Sequence, residues 1–252
     1  MKCKFLKTAL LLLFIINTGV ASAQGFKIDT STYKYKDTYY PNPKDKSNSY
    51  KFSFAIDYFK NAASPSIYAV INSELLHYFS LPNTHSKNFE AAVKSIINAE
   101  IKDYKKYYNE AKETATDYKL QYTLDMKLLY QGNFNGVLGF VTYFNTYTGG
   151  VHPMDSFTTL NFSERTGKQI HLEDIMKPGF EKKLPALILT KLDREVLFNK
   201  NKVDIPTEFT FKKTGIEFIY NRYEVASYAD GPQYAFLSYK ELEHLLKDEY
   251  LK

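Results

Sequence analysis

Cysteine is almost missing from this 252-residue chain: the only one is Cys3. Beyond that position disulfides, thiolate nucleophiles and cysteine-based zinc sites are excluded. Small secreted domains often need disulfides, but a chain this long can bury a core without them. Tryptophan is absent. After the N-terminal apolar run there is no second one, no internal repeat and no low-complexity tract, which excludes a multi-span bundle and a repeat solenoid. No long basic cluster occurs, so the electrostatic footprint of a nucleic-acid binder is missing. The five histidines show neither H-x-x-x-H nor HExxH spacing, and no nucleophile-elbow pattern surrounds any serine.

What is present begins at the N-terminus. Lys2, Lys4 and Lys7 precede an apolar run from Ala9 to Ile16, and the small residues Ala21-Ser22-Ala23 follow. That is the three-part layout of a secretory signal peptide over residues 1–23, with cleavage after Ala23. The apolar run is short for a membrane span, and Cys3 lies too early to be the cysteine that ends a lipoprotein signal. The expectation is a soluble exported protein of a bacterial periplasm or cell surface, with no membrane span after cleavage. The formal charge of +5 falls to +2 once those three lysines, and no acids, are removed.

Aromatics are plentiful, with 22 Tyr and 19 Phe. Most alternate with polar residues, as in "YKFSFAIDYF", which favours sheet and core packing over sugar stacking. Strands are expected over 26–40, from Tyr50 to Tyr58, over 118–130 and 137–148, and over 156–163, 208–211, 215–220 and 234–237. Gln131-Gly132-Asn133 and Asn135-Gly136 supply a turn. Helical spacing marks a helix opened by Ser64-Pro65-Ser66, a long one over 86–114, another over 181–199, and a closing one around Leu242, Leu245 and Leu246. Hairpins separated by helices argue for an α+β fold with mostly antiparallel sheets, packed helices and two closely associated halves. The halves are expected at 24–135 and 136–252.

Four pieces, "YTGGVHP", "NFSERTGKQIHLEDIM", "EFIYNRYEVASYADGP" and "YKELEHLL", occur in that order. Together they resemble the extracellular domain pair of the anti-sigma factor RsiV. Related domains sit beside the catalytic domain of some peptidoglycan deacetylases and in many exported bacterial proteins of unknown function. The family pattern at the first piece is aromatic-Thr-Gly-Gly-Ala-His. Tyr147, Thr148, Gly149, Gly150 and His152 match it, and Val151 replaces the alanine. The resemblance implies an envelope-facing binding module, with lysozyme as the partner in RsiV-like proteins. No transmembrane helix follows the signal here and no sigma-binding or deacetylase segment is present, so signalling in the RsiV manner is not expected.

The candidate binding residues are Tyr147, Gly149, Gly150, His152 and Asp155 in one loop, and Tyr223, Tyr228 and Asp230 in another. For each loop a plain turn is the simpler alternative, because the glycines and Asp230-Gly231-Pro232 suffice for one. Glu173-Asp174 beside His171 reads as the acidic first turn of a helix rather than a metal site. The expectation is a non-enzymatic module without metal or cofactor. It would bind a lysozyme-like protein or, alternatively, peptidoglycan fragments or another glycan; an unrecognised hydrolase is the third reading. A nearly neutral mature chain exerts little pull on a cationic lysozyme.

Overall fold

The computed structural model describes residues 20–21, 27–60, 66–81, 86–114 and 119–251. All of the expected signal peptide except Val20–Ala21 lies outside the described residues, as does the Ser64-Pro65 part of the signal that opens the first helix. Helices pack on sheets that are mostly antiparallel, so the fold is α+β.

Five strands form the larger sheet: β1 (Thr30–Tyr39), β2 (Ser49–Phe59), β3 (Gln121–Phe134), β4 (Val137–Tyr147) and β5 (Met154–Ser163), in that spatial order. Period-two spacing places Tyr50, Phe52, Phe54 and Ile56 on one buried face of β2. The period slips at the strand end, where Phe59 and not Tyr58 is buried. There the Asn72 side chain donates to Phe59 O (2.8 Å) and accepts from Phe59 N (2.9 Å), clamping the strand to helix α1 (Ile67–Phe79).

Helices α1 and α2 (Phe89–Glu113) form the crossover that a parallel β2–β3 pair requires. Ser66 caps α1 by accepting from Ala69 N (3.2 Å), and Asn88 caps α2 by accepting from Ala91 N (2.9 Å). Val93, Ile96, Ile97 and Tyr104 bury one stripe of α2, while its charged C-terminal half faces solvent. The β3–β4 turn is Asn135-Gly136 alone, both at positive φ (51° and 76°), as a two-residue hairpin of type I′ needs. Gly132 is not part of that turn. It lies inside β3 at φ 131°, where the register with β4 shifts, and so forms a bulge. The Asn135-Gly136 turn, where the sequence divides the halves, thus joins two neighbouring strands of one sheet.

A second sheet contains β6 (Glu208–Lys212), β7 (Gly215–Tyr220) and β8 (Gln233–Ser238), all antiparallel, with β7 central. Its inner face, including Phe211, Ile216, Phe218 and Leu237, builds a second core with the segment 170–203 and the C-terminal turns. Polar side chains lock β5 to β6. Thr159 Oγ1 donates to Glu208 Oε2 (2.9 Å) and accepts from Phe209 N (3.0 Å), and Asn161 Nδ2 donates to Phe209 O (2.8 Å).

The helix expected over 181–199 is largely overturned. Only Leu184–Leu189 is α-helical within that span, following a 3₁₀ turn at Phe180–Lys182. Pro185 has no N–H to give to residue 181, so a helix can begin only with the proline in its first turn. At the other end Thr190 Oγ1 donates to Leu187 O (2.6 Å), and Asp193 Oδ1 accepts from Glu195 N (3.0 Å) to form a turn. Leu192 and Leu197 are still buried, but by turns and not by a helix.

The closing motif makes a short helix, Tyr239–Leu242, capped by Ser238. Glu241 accepts from Ser238 N (2.9 Å) and Ser238 Oγ (2.7 Å) and pairs with Lys191 Nζ (2.5 Å). The Lys191 ammonium and then the Ser238 donors lower its pKa from 4.5 to about 2. A depressed carboxyl pKa stabilises the fold above about pH 4.5, and this stabilisation disappears as the pH falls towards 2. Glu241→Gln is therefore expected to lower Tm at pH 7, and its gap to the parent should close by pH 2. Melting curves across that range check it; a constant gap would mean the charge contributes nothing.

Candidate functional site

Two loops meet at one end of the molecule. The first, 148–153, joins β4 to β5; the second, 221–232, joins β7 to β8. In the first, Gly149 and Gly150 sit at φ 94° and 95°, a backbone region that side chains resist. Tyr147 closes that turn, its hydroxyl donating to Gly150 O (3.0 Å). In the second, Asp230 accepts from Ser227 Oγ (2.5 Å), and Gly231 N donates to Tyr228 O (3.2 Å). Tyr147, Gly149, Gly150 and Asp230 therefore shape their own loops.

His152, Asp155, Tyr223 and Tyr228 come together. The His152 ring stacks on Tyr228 with centroids 3.6 Å apart and planes at 19°. Tyr228 Oη donates to Pro153 O (2.5 Å), which also lies 2.9 Å from His152 Nδ1. The Arg222 guanidinium lies 4.2 Å from the Tyr228 ring centre, bonds the Asp155 carboxylate through Nε and donates to Tyr228 O. Asp155 raises the arginine pKa further, so the guanidinium keeps its charge. The side chains of this pair are only 20% and 12% exposed, and a partly desolvated pair of this kind holds more firmly than a surface one. Tyr223 stands 5.8 Å from Tyr228 at φ 68°, a costly backbone for a non-glycine residue.

Asn221 anchors the second loop before this clasp begins. Its side chain accepts from Phe157 N (2.6 Å) and donates to Phe157 O (3.0 Å), extending β5 by a mimic of strand pairing. Neither Asn221 nor Arg222 stands out in the sequence. Both lie inside "EFIYNRYEVASYADGP", but an arginine reveals its carboxylate partner 67 residues away only after folding.

The clasp leaves an apolar ledge. Val151 is 99% exposed, Tyr223 52% and Met154 45%. Asp155 is committed to Arg222 and His152 to Tyr228 and Pro153, so this carboxylate does not orient this imidazole. Ser156 belongs to β5. Among the described residues no three His, Cys, Asp or Glu converge to hold a metal. His171 serves a helix cap, its N–H donating to Asp174 Oδ2 (2.8 Å).

Comparison with known proteins places the second loop in a recognised domain. Residues 173–240 match the model of a family described as a protein of unknown function (DUF3298). That span holds β6, β7, β8 and the loop that carries Arg222 and Tyr228. Among solved structures, a DUF3298 family member from Bacteroides fragilis superposes with a TM-score of 0.75 at 19% identity, over 94% of this chain and 99% of that one. A DUF3298 family protein from Pseudomonas aeruginosa gives 0.56 at 14% identity, over 87% and 95%. At these identities the likeness establishes the shared fold. No curated protein matches the chain. Among the described residues no helix is long and apolar enough to cross a membrane.

Proposed function

We propose that the protein is an exported, non-enzymatic binding module of the cell envelope, and that the clasped loops hold a protein partner. The observation that carries this reading is Val151, 99% exposed at the tip of a loop clamped from below by the His152–Tyr228–Arg222 stack. An apolar side chain held out on an ordered ledge is how interface anchors are presented, because a preformed loop loses little entropy on binding. The backbone strain at Tyr223 supports the same reading, since strained conformations concentrate where binding uses them.

Stacking of a sugar on Tyr228 is less favoured. Its ring already packs against His152 and Arg222, and its hydroxyl is spent on Pro153. The RsiV resemblance of the two loop motifs supplies the partner class: a lysozyme-like muramidase.

Calorimetric titration of the chain from Gln24 onward with lysozyme tests this. Val151→Asp and Tyr223→Ala are each expected to weaken binding by roughly tenfold or more, as anchor residues do, with Tm unchanged. Heat with soluble muropeptides alone would reassign these loops to glycan binding, and no heat with either would overturn the proposal.

A further inference from the structure

The five-stranded and three-stranded sheets have two edges each, and three of these edges are protected or met. On the outer side of β5, Asn221 takes both backbone groups of Phe157, and Glu208 accepts from Thr159 N. Further along, Ile170 N donates to Asn161 O (2.7 Å) and Ser163 N to Lys168 O (2.9 Å). On β6, Thr159 and Asn161 hold Phe209, and Tyr239 Oη donates to Lys212 O (2.8 Å). β1 carries exposed Lys34 and Lys36, and lysines on an edge strand keep other strands away.

β8 has none of these devices. Its six residues, QYAFLS, include no charge, proline or glycine, and it pairs with β7 on one side only. Among the described residues no hydrogen bond outside that ladder reaches a backbone group of residues 234–237. Ala235 and Leu237 are 0% exposed, whereas Tyr234 is 45% and Phe236 40% exposed. Alternate residues of an antiparallel edge strand turn their N–H and C=O groups outward. The unpaired groups therefore belong to Tyr234 and Phe236.

We propose that β8 pairs antiparallel with β8 of a second copy of this chain, about a two-fold axis at Ala235. In that register Tyr234 stands opposite Phe236 of the second copy, and Phe236 opposite its Tyr234. Every outward N–H then meets an outward C=O. Both ring pairs lie on one face of the joined sheet, where directly opposite aromatics attract. Charge fixes the direction. Asp230 and Lys240 lie five positions before and after Ala235, both exposed and without an ion pair among the described residues. Antiparallel pairing sets each Asp230 towards the Lys240 of the other chain, whereas parallel pairing would set like against like. The neighbouring charges are already matched: Arg222 with Asp155, Lys191 with Glu241, and Lys212 with Glu217. A strand of another protein would find the same backbone groups, but a second copy brings the matching rings and charges with them. So short an interface makes the association weak and reversible.

Sedimentation equilibrium of the chain from Gln24 onward, up to about millimolar concentration, tests the pairing. A monomer–dimer equilibrium that shifts with concentration is expected. Tyr234→Pro removes an N–H that the ladder with β7 does not use, so it should abolish the dimer. Two charge variants avoid any backbone change. Asp230→Lys and Lys240→Asp should each weaken self-association by roughly fivefold to tenfold, because the two-fold axis repeats the repulsion. Mixing these two variants should restore dimers, since each then meets its opposite. A chain that stays monomeric throughout overturns the proposal and leaves the edge to a foreign strand or to solvent. A dimer that survives Tyr234→Pro would lie on another surface. Indifference to both charge variants and to their mixing would remove the register that selects a second copy. Each of these outcomes also overturns the proposal.

Discussion

Phe140→Ala is expected to cost about 4 kcal/mol of stability, the range for removing a fully buried phenylalanine. Phe140 is 0% exposed and joins four strands at one point. Its ring lies 5.5 Å from Phe59 on β2 and 6.1 Å from Phe162 on β5, both edge-to-face, and 5.2 Å from Tyr130 on β3 at a tilt of 52°. Edge-to-face pairs add to the area term, and none of them survives truncation to a methyl group. Phe59 in turn leans on Tyr68 of α1 at 4.8 Å, so neighbouring rings cannot collapse into the void without dragging a helix. For a domain of this size each kcal/mol shifts Tm by about 2–4 °C, which gives a drop of roughly 8–16 °C. Thermal unfolding followed by circular dichroism checks it. Phe140→Leu, which keeps most of the volume, should cost about 1.5 kcal/mol or less. Equal losses for the two variants would mean that the aromatic contacts, and not the filled volume, stabilise this site.

The sequence states local geometry well and partners poorly. Alternation along β2 reveals its buried face because side-chain direction is a property of one strand. The stripe on α2 is legible for the same reason, as is the Asn135-Gly136 turn. What periodicity cannot say is which strand lies beside which. The parallel β2–β3 pairing follows from the crossover helices packing on one face, and nothing in either strand announces it. The 181–199 expectation failed where one proline and two side-chain turns outweighed a helical spacing of leucines, which stay buried all the same. At the site, both loops are visible as motifs, and Tyr228 and His152 are visible within them. Their stack is not, nor is the Asp155–Arg222 pair. Bonds between residues some 70 positions apart depend on β5 and β7 being brought together, and Asn221 does that through Phe157.

Tyr228→Ala should release both loops at once. Three interactions end on that side chain: the His152 stack, the Arg222 cation–π contact and the bond from Oη to Pro153 O. Taken at about 1 kcal/mol each, typical for partly exposed contacts, they amount to about 3 kcal/mol of local ordering, or roughly a hundredfold in the population of the clasped form. The amides of Tyr223 and Gly231, which bond Ala226 O and Tyr228 O, should then exchange with solvent faster by up to that factor. The core amides should not, because neither hydrophobic core includes Tyr228. A partner that binds only the clasped form would lose affinity in the same proportion. Tyr228→Phe separates the contributions: it keeps the stack and the cation–π contact and loses only the hydroxyl bond, so it should fall by roughly fivefold to tenfold. If the alanine variant leaves exchange in both loops unchanged, the glycine turns and the Asp155–Arg222 pair are enough to order the ledge, and Tyr228 is a consequence of that order and not its cause.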